Sequence, residues 1–393
     1  RRSFLYRDTN RWIGLHNYKE IFTLDTTVTA IKNNAIWIGV VPALVTAIGL
    51  IFAVLTERIR WSVAFKTLVF MPMAISLFAA GVIWRVMDQE DPHLGALNAG
   101  IGAIHDTFRP PGALPDAEPS TSRLTGSPQR GFVLQTPLRP GDIARLGLTG
   151  ISPDDVPSGA VQAADPTPKT NGITGVVWRD FKPGGGKTGE VEQGELGLPG
   201  VTVELRAAGG KKIDSVSTED NGTFAFDDVK PGDYRAAIGP KTFAKPFSGV
   251  AWLGPKLITP ALIIAYTWVW AGFAMVVIAA GLAAIPRDVL EAARTDGGTE
   301  WQVFRRVTVP LLAPVLSVVF ITMLINVLKV FDIVLSVAPG SSQDDANVIA
   351  LAMWRSSFGG VNDYGLGAAI AVFLFLLVIP VLALNVRRFR REV

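Results

Sequence analysis

Five long apolar blocks constrain this chain more than any other feature: residues 33–55, 63–87, 257–284, 313–337 and 367–386. A hydrocarbon core of about 30 Å takes roughly 20 residues of helix to cross, so each block is long enough to span a membrane. Several blocks end in charge clusters, which argues against buried helices of a soluble protein. The expected fold class is an all-α polytopic membrane protein with five spans present. The long polar stretch between the second and third blocks, 88–256, is expected to carry an inserted β-sandwich.

Lys and Arg placement sets the orientation. Arg58 and Arg60 link the first two blocks, Arg287, Arg294, Arg305 and Arg306 lie between the third and fourth, and Arg387, Arg388, Arg390 and Arg391 follow the fifth. These three groups fall on one side if the spans alternate, which makes that side cytoplasmic and residues 88–256 extracytoplasmic. Arg1, Arg2, Arg7, Arg11 and Lys19 mildly oppose this assignment. The chain begins at Arg1 rather than methionine, and an odd span count with an outside start suggests a sixth span upstream in the intact protein.

Composition excludes several chemistries. With no cysteine there is neither a disulfide framework nor a thiolate metal site. The three histidines, His16, His93 and His105, are scattered. A net charge of +3, without a basic stripe interleaved with aromatics, gives no nucleic-acid signature. No Ser/His/Asp set or isolated carboxylate pair stands out, so no enzyme active in its own right is expected.

Residues 285–310, IPRDVLEAARTDGGTEWQVFRRVTVP, are too polar to span. Pro286 suits a first helical turn, where no N–H partner is lost, and Asp288 and Glu291 suit the positive end of the helix dipole. Ala292 and Ala293 offer a small-residue surface to another protein. Asp296-Gly297-Gly298 reads as a helix stop, since glycine accepts a left-handed backbone. A second short helix is expected over 300–307, ending at Val309-Pro310.

This loop resembles the EAA motif of binding-protein-dependent ABC importer permeases: Glu-Ala-Ala, three residues, Gly, nine residues, then aliphatic-x-aliphatic-Pro. Glu291, Ala292, Ala293, Gly297, Val307, Val309 and Pro310 keep every spacing. The resemblance implies a coupling helix seated in a cleft of a partner ATPase, with Glu291, Ala292, Ala293, Gly297, Val307 and Pro310 as coupling residues. Flanking segments are similar to the carbohydrate-importing branch, with maltose- or trehalose-like α-glucosides as the implied solutes. They are Trp12-Ile13-Gly14-Leu15-His16-Asn17-Tyr18, Leu94-Gly95-Ala96-Leu97-Asn98, Phe331-Asp332 and Tyr364-Gly365-Leu366-Gly367-Ala368-Ala369. One departure is Val337-Ala338-Pro339-Gly340-Ser341, where the family usually has Thr-x-Gly-Gly-Pro.

The resemblance also implies the partners: a second permease subunit, an ATPase dimer, an extracytoplasmic solute-binding protein, membrane lipid and a carbohydrate. No cofactor is expected in this chain, ATP and magnesium being bound by the partner ATPase. Gly184-Gly185-Gly186-Lys187-Thr188 mimics a phosphate-binding loop, but Phe181 stands where that motif needs its first glycine.

Four regions follow: 1–105 and 246–393 as the two parts of the permease, 106–170 as an extended linker, and 171–245 as the inserted domain. Residues 106–170 are rich in Pro, Gly, Ser, Thr and Asp, with one candidate strand at 131–138. Alternating strands are expected at 172–179, 201–206, 213–218, 223–226 and 234–238. Gly222-Thr223-Phe224-Ala225-Phe226, Lys230-Pro231-Gly232-Asp233-Tyr234 and Leu198-Pro199-Gly200-Val201 resemble the prealbumin-like SdrD B repeats of bacterial surface adhesins. Some such domains bind calcium, which makes Asp180, Glu190, Glu192 and Glu195 candidates, although a solvated acidic loop is the favoured reading.

Polar residues in the fourth block suggest a pathway. Asn326 and Lys329 lie three apart on one helical face that Asp332 continues, and ionisable groups in a membrane face water or a partner. A Lys329–Asp332 pair against a sister subunit is the equal alternative. In the third block Trp268, Trp270 and Phe273 are candidates to stack on sugar rings. The function that the resemblance implies is a permease subunit of a binding-protein-dependent ABC importer in the bacterial cytoplasmic membrane, taking up a sugar or oligosaccharide by ATP-driven alternating access. The alternative is a membrane-anchored surface adhesion protein displaying the sandwich, and the coupling-loop spacing favours the former.

Overall fold

A computed structural model of the protein describes residues 13–57, 59–360 and 362–392, with side chains as far as Pro380. Arg1, Arg2, Arg7, Arg11, Trp12, Arg58 and the side chains of Arg387, Arg388, Arg390 and Arg391 lie outside the described residues. The chain divides into two compact units, Arg1–Asn98 with Val250–Val393, and Ala99–Gly249.

The helices in chain order are α1 His16–Ile21, α2 Asp25–Glu57, α3 Ser62–Phe70, α4 Leu77–Met87, α5 Ala96–Phe108 and α6 Ile258–Ala283. They continue with α7 Arg287–Thr295, α8 Glu300–Val303, α9 Val309–Leu328, α10 Asp332–Val337, α11 Ile349–Phe358 and α12 Tyr364–Glu392. Among the described residues three helices are long and apolar enough to cross a membrane: α2, α6 and the continuous stretch Glu300–Leu328. The most apolar stretch of α6 is 67% buried, against 28% in the other two, so α6 is the core helix. Small residues bring its neighbours close. A side chain at Gly272 would strike the backbone of α3 at Val69 and Phe70, and one at Gly281 would meet Val315 of α9. Such contacts substitute van der Waals packing for the hydrophobic drive that lipid does not supply.

Two expected spans differ. Residues 63–87 do not form one helix: α3 and its short 3₁₀ extension Met71–Ala74 meet α4 at a bend of 102°. Pro72 carries no N–H for a helical bond, Ile75 turns extended, and the Ser76 hydroxyl accepts from Ala79 N at 3.1 Å to start α4 afresh. The fourth block ends at Leu328 rather than at 337. Lys329 caps α9, Phe331 takes a non-helical backbone, and α10 is a separate short helix. A serine and a glycine close the packing of α10 on α4, since a side chain at Gly81 would overlap Ser336.

Buried asparagines tie the start of α2 to the loop before α11. Asn33 Nδ2 donates to the carbonyls of Asp345 (2.7 Å) and Asn347 (2.8 Å), and Asn34 Oδ1 accepts from Ile349 N at 2.8 Å. Asn347 Nδ2 donates to Thr26 O at 3.1 Å. These bonds satisfy a loop that packs among apolar residues, where an unpaired carbonyl costs about 1–3 kcal/mol.

The second unit is a sandwich of two sheets. Its strands are β1 Glu118–Pro119, β2 Leu124–Ser127, β3 Gly131–Leu134, β4 Ile143–Thr149, β5 Ile173–Arg179, β6 Thr202–Ala207, β7 Lys212–Ser217, β8 Thr223–Phe226 and β9 Tyr234–Ile238. One sheet runs β1-β4-β5-β8 and the other β2-β3-β9-β6-β7. Leu146, Leu148, Ile173, Leu198, Leu205 and Phe226 fill the space between them, each fully buried. Burying a side chain of this size contributes roughly 1.5–3 kcal/mol.

The expected linker is therefore not a linker. Four strands lie within residues 106–170, and β4 pairs in parallel with β5 from Ile143↔Thr174 to Leu148↔Arg179. Half of one sheet is supplied by the stretch that composition assigned to a spacer. The strands β5 to β9 fall where the alternation placed them.

Both chain crossings into the inserted unit leave from one point. Asn98 Nδ2 donates to Val250 O at 3.0 Å, and Val250 N donates back to Asn98 Oδ1 at 2.8 Å. A short Gly-Gly link from Asn98 to Val250 is thus expected to replace residues 99–249 without unfolding the helical unit. Comparing the melting of shortened and full chains in nanodiscs checks this, and collapse of the shortened chain would contradict it.

Candidate functional site

The loop that carries Glu291-Ala292-Ala293 is built by local rules. Pro286 sits at the N-cap of α7 rather than in its first turn, with an extended backbone. None of the residues of α7 is buried, so most of its surface is open to a partner. At its end Gly297 has φ +84°, and its N–H bonds Arg294 O at 3.0 Å. A left-handed backbone costs a residue with Cβ about 1–2 kcal/mol. Gly298 is needed for another reason: its added Cβ would lie 2.7 Å from Ala293 O and 3.2 Å from Val303 Cγ2. Thr299 and Gln302 then form a reciprocal capping box that starts α8, and Arg294 is paired with Glu300 at 2.9 Å.

The second helix does not stop at Pro310. It passes through a π turn, Phe304–Thr308, and continues as α9 with Pro310 in its first turn. Pro310 cannot donate to the carbonyl four residues back, and the wider π turn makes room for the proline ring.

The structure separates the motif residues into two roles. Glu291 and Ala292 are exposed, and the Glu291 carboxylate has no partner among the described residues. Ala293 and Val307 are half-buried, and Pro310 lies at the exposed start of α9. Gly297, Val307 and Pro310 therefore shape the loop, while Glu291 and Ala292 form its presented face. Trp301, 65% exposed and stacked on Phe304 at 5.6 Å, also stands on this loop and was not singled out from sequence. Its signal was an aromatic residue inside a polar segment.

The pathway residues are not brought onto one face. Asn326 is half-buried on α9, Lys329 is exposed at its cap, and Asp332 begins α10 beyond the break. Asp332 therefore does not continue the Asn326 face, and Lys329 and Asp332 form no ion pair among the described residues. The aromatic set divides as well, because residues two apart on a helix point about 200° apart. Trp268 is 39% exposed and meets Trp84 edge-on at 5.9 Å. Trp270 is half-buried between Tyr266 and Phe273, with centroids at 6.0 and 5.8 Å.

In the inserted unit the acidic loop is braced from within. Asp180 Oδ2 accepts from Gly189 N at 2.7 Å, Glu192 Oε2 from Lys187 N at 2.8 Å, and Glu195 Oε2 from Glu192 N at 2.8 Å. Lys182 pairs with Glu192 and Lys187 with Glu190, each at 3.5 Å. Glu195 is buried rather than solvated, and desolvation pushes its carboxyl up. Among the described residues no group of three or more His, Cys, Asp or Glu side chains is arranged to hold a metal ion. Gly184–Thr188 lies in the loop after β5 with no helix following.

Asp88 caps the end of α4 and is almost wholly buried, with Oδ2 unpartnered. Burial pushes its carboxyl from 3.8 up to about 6. A raised folded value means that the native state holds this proton more tightly, so its contribution favours folding below pH 4 and is lost as pH rises through 6. Asp88→Asn is expected to raise the melting temperature above pH 6, with the gain fading toward pH 4. A gain that persists at pH 4 would contradict this.

The family described as binding-protein-dependent transport system inner membrane component matches residues 224–391. The SdrD B-like domain family matches residues 171–246. The chain is 27% identical over 391 residues to the osmoprotective compounds uptake permease protein GgtC of Synechocystis sp., covering 99% of this chain and 90% of that protein. It is 28% identical over 390 residues to the alpha-glucoside transport system permease protein AglF of Rhizobium meliloti, covering 98% and 74%. It is 30% identical over 139 residues to the ABC transporter permease protein ORF1 of Caldicellulosiruptor sp., covering 35% of this chain and 99% of that protein. The fold is similar, with TM-score 0.55 and 15% identity over 97% of this chain and 85% of the other, to a bacterial ABC transporter involved in the import of the acidic polysaccharide alginate. The chain belongs to the family of binding-protein-dependent transport system inner membrane components, as a permease subunit of an ABC importer without an ATPase site of its own.

Proposed function

We propose that this permease forms half of a transmembrane pathway for a carbohydrate and transmits ATPase motion through α7. A sister permease would complete the pathway, and two ATPase subunits holding ATP and magnesium would drive it. An extracytoplasmic binding protein would deliver the solute. The observation that carries this reading is α7, a helix with no buried residue whose exposed Glu291 and Ala292 precede the left-handed turn at Gly297. A stiff element with a small-residue face suits a socket in another chain; a simple membrane anchor has no use for one.

A sugar or oligosaccharide is favoured by the alpha-glucoside permease among the relatives. The inserted sandwich belongs on the extracytoplasmic side, where it would contact the binding protein near the pathway mouth. Asn326, half-buried on α9 without a hydrogen bond among the described residues, is the best remaining candidate for the solute path. Trp270 is reassigned to packing.

Uptake of a radiolabelled α-glucoside by the assembled transporter tests the assignment. Asn326→Ala is expected to lower uptake without lowering the assembled amount. Trp270→Ala is expected to lower the assembled amount itself, since truncating a packed aromatic costs about 3–5 kcal/mol. Unchanged uptake in Asn326→Ala would remove that residue from the path.

A further inference from the structure

Helix α5 carries an apolar stripe that none of the described residues covers. Ile101, Ile104 and Phe108 are 36%, 65% and 81% exposed and recur at i, i+3 and i+7, so they form one face. The other face is held. Asn98 is buried, the Gly102 Hα side faces Phe247 Cδ1 at 3.2 Å from an added Cβ, and His105 lies on the Phe247 ring at 5.5 Å. The helix therefore cannot roll to hide its stripe.

The start of α5 is fixed to the end of the apolar helix α4. Gly95 N and Leu94 N bond Asp91 O at 2.8 and 3.0 Å, and Asn98 Nδ2 bonds Gln89 O at 2.8 Å, two residues beyond the end of α4. Leu94, in the same turn, is also exposed. At the far end the cations Arg109 and Lys241 line one cavity with Phe108, of about 920 Å³. Among the described residues neither Arg109 nor Lys241 is ion-paired, and Asp106 is occupied by His105 Nδ1 at 2.9 Å. An apolar stripe beginning at a span end, flanked by unpaired cations, is complementary to a lipid surface in both polarity and charge.

We propose that α5 lies in the headgroup–acyl boundary of the leaflet at which α4 ends, with Ile104 and Phe108 in the acyl region and Arg109 and Lys241 on lipid phosphates. The helix is then an interfacial anchor at the root of the inserted unit. This rests on the membrane placement of the helical unit, and the test keeps the two apart.

The chain has no cysteine, so single cysteines can be labelled without altering other positions. Ile104→Cys, Phe108→Cys, Ile264→Cys on the exposed side of α6 and Ile213→Cys on β7 are each made in the full chain. They are spin-labelled and reconstituted into nanodiscs containing phosphatidylglycerol. Accessibility to oxygen and to a water-soluble nickel chelate is read by power saturation. Ile264 must read as lipid and Ile213 as water; if Ile264 reads as water, the membrane placement fails rather than the anchor alone. Labels at 104 and 108 are expected to shift to the lipid value of 264, and Arg109→Glu with Lys241→Glu is expected to shift 108 back toward the water value. Nickel access at 104 and 108 equal to that at 213 would overturn the anchor. So would shielding from both reagents, which would mean a protein contact, and so would no shift in the doubly substituted chain.

Discussion

Replacing Glu291 with lysine is expected to abolish solute-stimulated ATP hydrolysis while leaving the chain folded in the membrane. The side chain is exposed on a helix with no buried residue, so the substitution removes no internal contact. Its i+4 neighbour Thr295 bonds the Glu291 carbonyl, not the carboxylate, and that bond survives. What changes is the sign of the charge offered to a docking partner, and truncating or reversing one member of a docked charge pair commonly costs 2–5 kcal/mol of affinity. ATPase assays on the reconstituted transporter, beside a melting curve of the purified chain, separate lost docking from lost folding. Full stimulated hydrolysis in this variant would remove Glu291 from coupling.

Gly272→Leu is expected to have the opposite profile, a fold defect that precedes any functional one. Any side chain there enters the backbone of α3 at Val69 and Phe70 rather than the movable end of a neighbouring side chain. The crossing of α3 and α6 must open, and α6 is the helix on which the membrane core is built. Overpacking of this kind costs about 1–3 kcal/mol. A melting temperature in nanodiscs well below that of the parent chain is expected. An unchanged melting temperature would show that the crossing yields without cost.

What sequence made legible follows from how local each signal is. The apolar runs of α2 and α6 and the spacing of the coupling loop are contiguous, and the structure has helices there. The break at Ile75 was hidden because Pro72 and its neighbours are as apolar as the helices on either side. The end of α9 at Leu328 was hidden for the same reason: Ile333, Val334 and Val337 continue the apolar pattern while the backbone has already turned at Phe331. That error placed Asp332 on a face it does not share with Asn326. Proximity in sequence likewise joined Trp268 to Trp270, which helix rotation separates.

The strands missed in 106–170 have a different cause. β1 is two residues and β2 four, too short to establish an alternation, and β4 contains Arg145 and Gly147. What makes β4 a strand is its parallel partner β5, 31 residues along the chain at Ile143 and Thr174, and no local pattern reports such pairing. The buried asparagines were illegible in the same way. Asn33 and Asn34 sit inside an apolar run, and their partners at Asp345, Asn347 and Ile349 lie more than 300 residues later.

The central claim is that this chain delivers the motion of an ATPase to a membrane pathway through α7, and a cross-link from that helix tests it most directly. With Ala292→Cys as the sole cysteine, a photoactivatable maleimide on the tagged chain in its native membranes reports what touches the exposed face of α7. The expected result is one dominant product joining this chain to a nucleotide-binding subunit, weakened when Glu291→Lys is added. A complex that contains no nucleotide-binding subunit, or a label at 292 that cross-links to lipid alone, would contradict the account.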